Sequence, residues 1–174
     1  MAMAKGMDGL IGFIRRDDVW HQRMFDVLAE HIGPACEEFD LDFDDLSELL
    51  GETWPMTLWG CAFEDLLGRT FGNNKTNVVE QYLEQRGWAE DAADREDLAG
   101  LRSAAPSLFE VSQIVPGKSM VVRDLLSASD PVTVREKSAT RSLKPWDRIA
   151  VRVVKQGDDY VISGGLLRFS SEAA

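Results

Sequence analysis

Near residues 105–107 the periodicity of the sequence changes, and no single kind of element can run through that change. Before it, apolar residues recur three and four apart, the spacing that gathers them on one side of a helix. After it, β-branched residues dominate and alternate with polar ones, the period of a half-buried strand. The 174 residues are enough for one full domain or two small ones. The sequence therefore predicts an α+β chain, with an acidic helical domain over residues 1–105 and a small β domain over residues 106–174. The β domain is expected to be a five-stranded antiparallel β-barrel or sheet of the SH3-like or OB-like kind.

Charge divides at the same seam. Residues 1–107 carry 22 acidic and nine basic side chains, a net −13, and residues 108–174 carry eight and ten, a net +2. The whole chain, at −11, repels nucleic-acid phosphates and anionic membranes and attracts basic partners. Hydrophobic residues make up 44% of the chain, enough for a packed core, so disorder is not expected. Two cysteines, Cys36 and Cys61, fit reduced thiols in a cytoplasmic protein better than a disulfide scaffold. The apolar run Leu10–Ile14 is too short for a secretory signal, and no segment reaches the ~20 apolar residues of a membrane span.

In the front half, residues 17–32 read as a helix capped by Asp17 or Asp18 and stopped by Gly33-Pro34. A short helix from Asp44 turns Leu46, Leu49 and Leu50 inward and ends at Gly51. Trp54-Pro55 reads as extended, because the residue before proline avoids the helical region, and a helix follows over residues 57–69. Another helix is opened by Thr76 or Asn77 and closed by a left-handed Gly87, and a last one covers residues 94–104 with Leu98 and Leu101 inward. In the back half, five strands lie over LFEVSQIV, SMVVRDLL, PVTVREK, RIAVRVVKQ and DYVISGGLLRF, divided by turn residues. Gly164-Gly165 reads as a bulge or a close backbone approach within the last of them.

Few residues suggest chemistry. Asp40, Asp42 and Asp44 have the opening spacing of a calcium loop, but Asp45 and Gly51 stand where it needs glycine and a bidentate glutamate. His21, His31, Cys36 and Cys61 lack the spacing of a zinc site. Ser163 lies outside any nucleophile-elbow frame, and no glycine-rich phosphate loop is present. No catalytic residue, metal ligand or cofactor is assigned.

Two surfaces remain. The first is acidic: Glu37, Glu38, Asp40, Asp42, Asp44 and Asp45, with Phe39, Leu41 and Phe43 between them. The second is basic. If Met120, Val122, Val132, Val134, Ile149, Val151 and Val153 point into the barrel, then Arg123, Arg135, Lys137, Arg148 and Arg152 point out of it. Trp146 sits in Lys144-Pro145-Trp146-Asp147, a turn where glycine, asparagine or aspartate is ordinary. It either folds back onto the helical half or stands exposed as a contact anchor.

LEQRGW, LFEVSQIVPGKSMVVRDLL, SATRSLKPWDRIAVRVV and VISGG together resemble an uncharacterised bacterial protein family with a helical N-terminal part and a small β C-terminal part. The resemblance covers roughly residues 58–169 and implies the domain arrangement but no activity. Some chains of this kind carry a cysteine-rich zinc-binding tail; none follows in this sequence, so zinc is not implied.

These features point first to a non-enzymatic binding or regulatory protein. Its acidic helical surface would engage a basic protein, including one that handles nucleic acid, by imitating phosphate charge. The rival is a nucleic-acid-binding module acting through the basic face of the β domain. A small hydrolase using Cys36, Cys61 or Ser163 is the third reading.

Overall fold

The computed structural model describes the backbone of residues 5–51 and 53–169, with the side chains of residues 5, 47, 50 and 53–55 outside that description. The chain divides into two compact units, Met1–Arg102 and Ser103–Ala174.

The first unit is helical. It contains α1 (Lys5–Arg16), α2 (Asp18–Phe39), α3 (Phe43–Leu50), α4 (Thr53–Gly68), α5 (Val78–Arg86) and α6 (Ala92–Ser103, running to the boundary), with a 3-10 turn at Gly87–Ala89. In α1 the buried residues Met7, Leu10 and Ile14 lie three and four apart, a stripe that the sequence reading missed because Gly12 interrupts it. Glycine has a use in this helix. At Gly9 a Cβ would run into the Tyr82 hydroxyl of α5, so only glycine permits that approach. Tyr82 in turn donates to Glu90.

Asp17 caps α2, its Oδ1 accepting from the N–H groups of Val19 and Trp20 at 3.0 Å each. The helix does not stop at Gly33-Pro34 as expected; it runs through to Phe39 and ends on Asp40 in the left-handed region, φ 53°. Pro34 withholds one N–H from the carbonyl four residues back, a cost of about 3 kcal/mol inside a helix. That carbonyl belongs to Glu30, an exposed residue where water can take the place of the missing donor. Proline is also why α4 begins earlier than expected. Pro55 lies in the first turn, where N–H groups have no intrahelical partner to lose. Gly87 has φ −58° rather than a left-handed conformation, and the chain tightens there into the 3-10 turn.

The core of this unit is built from Trp20, Met24, Val27, Leu66, Leu67, Val78 and Val79. The Trp20 indole N–H donates to Gln81 at 3.1 Å, and the Arg23 guanidinium lies 4.4 Å from the Trp20 ring centroid. Asn77 is a buried clasp. Its Oδ1 caps α5 by accepting from Val79 and Glu80, while its amide donates to the carbonyls of Leu67 and Arg69. Leu49, expected inside, is 72% exposed, and Leu50 falls outside the described side chains.

The second unit is a closed five-stranded barrel of β1 (Pro106–Val115), β2 (Ser119–Asp124), β3 (Val132–Arg135), β4 (Arg148–Gln156) and β5 (Asp159–Phe169). Strand order is β1-β2-β3-β5-β4, with β4 closing onto β1. Four pairings are antiparallel, and β3–β5 is parallel. This Greek-key closure is OB-like in order and leaves no sheet edge to protect. The parallel pair arises because residues 136–147 form a connection rather than a hairpin, which lets β5 return between β4 and β3.

Phe109, Val111, Met120, Val122, Val134, Leu143, Ile149, Val151 and Ile162 fill the barrel, with Val132 and Val153 packed at its margin. The glycines of β5 mark a bulge. Between the Ala150–Leu167 and Arg152–Ser163 pairs, β5 holds two more residues than β4, and Gly164 takes φ 74°. The connection after β3 closes one end of the barrel. It carries a 3-10 turn at Ala139–Arg141 and places Thr140 and Leu143 inside.

Candidate functional site

The acidic residues lie where α2 passes into α3. All six of Glu37, Glu38, Asp40, Asp42, Asp44 and Asp45 are exposed, but three also hold the backbone. Asp42 Oδ1 accepts from the Asp45 N–H at 2.8 Å, and Asp45 Oδ2 accepts from the Asp42 N–H at 3.1 Å, a reciprocal cap on α3. Asp40 is the left-handed residue that ends α2, with its N–H bonded to the Cys36 carbonyl. The D-x-D-x-D spacing is thus explained by helix ends. Among the described residues no group of three His, Cys, Asp or Glu side chains is placed to hold a metal ion.

The same stretch exposes large apolar side chains. Phe39 is 66% exposed, Leu49 72% and Met56 76%, and Phe43 is exposed as well. Sequence periodicity missed Leu49 because α3 is only eight residues long, and among its described side chains Leu46 alone is buried. A second feature of the helical unit is an open groove of about 270 Å³ between α1, α2 and α4. Ile11, Met24, Phe25 and Trp59 form much of its wall, with Arg15 and His21 as its polar groups.

Neither histidine meets a cysteine in a catalytic arrangement. His31 Nε2 lies 3.0 Å from Asp65 Oδ2, in a cluster where Arg69 binds both Asp65 and Glu30. Burial and the nearby Glu64 carboxylate push the Cys61 thiol up, so it is a weaker source of thiolate than a free cysteine. Ser163 is buried.

The basic strand face is not the continuous patch that alternation suggested. Arg123 Nη2 lies 2.7 Å from Glu110, which is also the register partner of Arg148. Arg135 is paired with Asp159. Arg152 does point away from the barrel interior, since Val151 and Val153 point into it, but it is only 1% exposed. Alternation fixes a direction and says nothing about what covers that direction. Arg152 therefore drops out of any solvent-facing patch. Lys137 is exposed in the connection after β3, and Arg148 is half-buried.

Trp146 is 66% exposed and has φ 75°. The Asp147 N–H donates to the Lys144 carbonyl at 3.1 Å, closing a four-residue turn with Pro145 second and Trp146 third. Proline followed by a positive φ marks a type II turn, whose third position belongs to glycine. The turn is fixed from several sides. The Trp146 N–H donates to the Val111 carbonyl, and Asp147 Oδ2 accepts from the Lys144 N–H and from Arg168. Sequence reading also missed the bases around this turn, Arg141, Lys144 and Arg168. Their signal was their place in the connection and at the end of β5, not a strand alternation.

Among the described residues no helix is long and apolar enough to cross a membrane. No curated protein and no solved structure matches the chain. Residues 70–174, from the turn before α5 to the end of the chain, match the Family of unknown function (DUF7986), and with more than half of its length matched the chain belongs to that family.

Proposed function

We propose that this chain is a non-enzymatic binding or regulatory protein whose acidic helical surface engages a basic protein, a class that includes proteins handling nucleic acid. The observation that carries this reading is the exposure of Phe39, Leu49 and Met56 in the stretch from Glu37 to Met56, whose described side chains also expose seven carboxylates, the six named above and Glu48. Carboxylates alone would be an ordinary solvated surface. Large apolar groups beside them supply what charge cannot, namely area that leaves water on binding. The partner is then a basic segment that also presents apolar side chains. Charge sets its approach and salt dependence, and the apolar contacts set how long it stays.

The test is affinity capture from lysate on the full chain at about 0.05 and 0.3 M salt, spanning a Debye length of roughly 14 to 6 Å. Three versions are compared: wild type, the charge reversal Glu37→Lys with Glu38→Lys and Asp44→Lys, and the apolar change Phe39→Ser with Leu49→Ser. Asp42 and Asp45 are left intact because they cap α3. The expected result is a basic protein held by wild type, weakened by salt and lost from both variants. The same proteins held equally by all three versions would sink the reading.

A further inference from the structure

We infer that the barrel end closed by the connection after β3 is a binding site for single-stranded nucleic acid, with Trp146 as its stacking platform. This site is separate from the acidic surface, shares no residue with it, and stands or falls by itself.

The connection gathers bases that the strand face lacks. The β1–β2 turn is tied to the 3-10 turn by a hydrogen bond from the Gly117 N–H to Thr140 Oγ1 at 2.9 Å, and Glu136 N–H donates to the Lys118 carbonyl. Arg168 Nη1 donates to the Ser142 carbonyl, which brings the end of β5 to the same place. The turn at 116–118, the segment 136–148 and Arg168 together carry six bases and two acids, a net +4 in a unit whose total is +2. Both acids are engaged within the fold. Glu136 accepts from the N–H groups of Ser138 and Ala139, and Asp147 accepts from Lys144 and Arg168. Arg141, Lys144 and Lys137 are exposed and make no ion pair among the described residues.

Trp146 gives the patch its specificity. A bulky residue at φ 75° is strained by about 1–3 kcal/mol, and glycine would remove that strain. Burial does not repay it, since the ring is mostly in solvent. An exposed indole among cations is what a single strand recognises, its bases stacking on the ring while its phosphates meet Arg141, Lys144 and Arg148. A duplex, whose bases are already stacked, has little use for the ring. The chain's −11 opposes any nucleic acid at long range, but at about 0.1 M salt the Debye length is ~10 Å and the local +4 governs contact.

The experiment is fluorescence anisotropy with labelled 12-mers on the full chain at about 0.1 M salt, with single-stranded RNA, single-stranded DNA and the matching duplex as separate arms. At least one single strand is expected to bind in the range of about 1–100 μM, with a salt slope no steeper than roughly −4 for six neutralised phosphates. The Trp146→Gly variant is the decisive change. It is expected to melt at the same or a higher temperature than wild type while binding roughly 5- to 150-fold more weakly, the span for losing one stacked base. Trp146→Phe retains most of the affinity. Arg141→Glu with Lys144→Glu abolishes binding and leaves the fold intact, because both residues are exposed. The proposal is overturned if neither single strand binds by about 0.1 mM protein, or if the duplex binds as well as the single strands. It is also overturned if the double charge reversal leaves affinity unchanged, or if Trp146→Gly lowers the melting temperature without lowering affinity.

Discussion

In the helical unit the carboxylates of residues 37–45 stand in solvent, whereas in the barrel Arg123, Arg135 and Arg168 each lie against a carboxylate. Net charge describes the first case well and the second badly. The helical half has a large excess of acid, so most of it has no base to meet. The barrel is nearly neutral, and there Arg123, Arg135 and Arg168 meet acids while the exposed bases Lys137, Arg141 and Lys144 gather at one end without an ion pair among the described residues. A small total can therefore conceal a steep local field, and a large one can be spread over ordinary surface. The same contrast holds for backbone strain. The helical unit uses positive φ to end a helix at Asp40, a common place for it, while the barrel holds a tryptophan in that conformation in a turn.

Emptying one core at a time tests whether the two units hold themselves together independently. Leu66 in α4 and Met120 in β2 are both fully buried. Truncating either to alanine removes buried carbons and leaves a cavity, at a cost of about 2–5 kcal/mol. Hydrogen exchange should then show Leu66→Ala loosening α2, α4 and α5 with the barrel amides unchanged. Met120→Ala should do the reverse. If either variant loosens both units alike, the two halves unfold as one body.

A smaller effect separates the two buried polar clasps. Asn77 serves four backbone groups in the helical unit, two as acceptor and two as donor. Thr140 accepts from Gly117 and has one proton to share between the carbonyls of Glu136 and Lys137. Asn77→Ala loses a cap and orphans two carbonyls, so a loss of about 2–3 kcal/mol is expected. Asn77→Ser recovers roughly 1 kcal/mol of it, because a hydroxyl can cap α5 but is too short to reach Leu67 and Arg69. Thr140→Val keeps the shape and loses about 1–2 kcal/mol. Urea midpoints give the order directly, and a Thr140→Val loss larger than that of Asn77→Ala would reverse it.

Much of this architecture was legible in the sequence, and the gaps have physical causes. The five strands could be read because each is bounded by turn residues, and β4 and β5 fall on RIAVRVVKQ and DYVISGGLLRF. The cap of α5 could be narrowed to Thr76 or Asn77 because a side-chain oxygen just before an apolar stripe has one obvious use, and the structure gives it to Asn77. Proline misled twice, at Pro34 and Pro55, because its cost depends on which carbonyl is freed and on where the helix begins. The parallel β3–β5 pair was illegible because periodicity gives a strand's faces and not its neighbours. Of the candidate surfaces, the acidic residues could be located by composition alone. The exposure of Leu49 and the burial of Arg152 could not, because both depend on what packs against a face after folding.

Titration separates the units most finely. At low pH they should behave alike. Burial pushes the Asp65 carboxyl up, but hydrogen bonds from Arg69 and His31 outweigh it and hold the group below its ordinary value. Asp124 in the barrel is held low in the same way against its burial, by the Ser107 hydroxyl and the N–H groups of Leu126 and Ser127. A lowered carboxyl contributes stability that is present above its ordinary pKa and is lost as pH falls through the lowered one. Acid should therefore weaken both units, and Asp65→Asn should flatten the response of the helical one alone. At high pH they should part. Burial, with the hydrogen bond to Glu90, pushes the Tyr82 hydroxyl up to about 12. The unfolded chain gives up that proton first, near pH ~10. The contribution is full below that value and is lost as pH rises from there through about 12. Cys61, also raised, acts in the same direction from its ordinary thiol range upward. Both groups belong to the helical unit, so alkaline conditions should loosen α1, α4 and α5 before the barrel. Tyr82→Phe should remove the upper part of that loss and leave the part due to Cys61. Equal alkaline loosening of the two units, or a Tyr82→Phe variant with an unchanged slope, would show that the tyrosine at the α1–α5 contact does not set the difference.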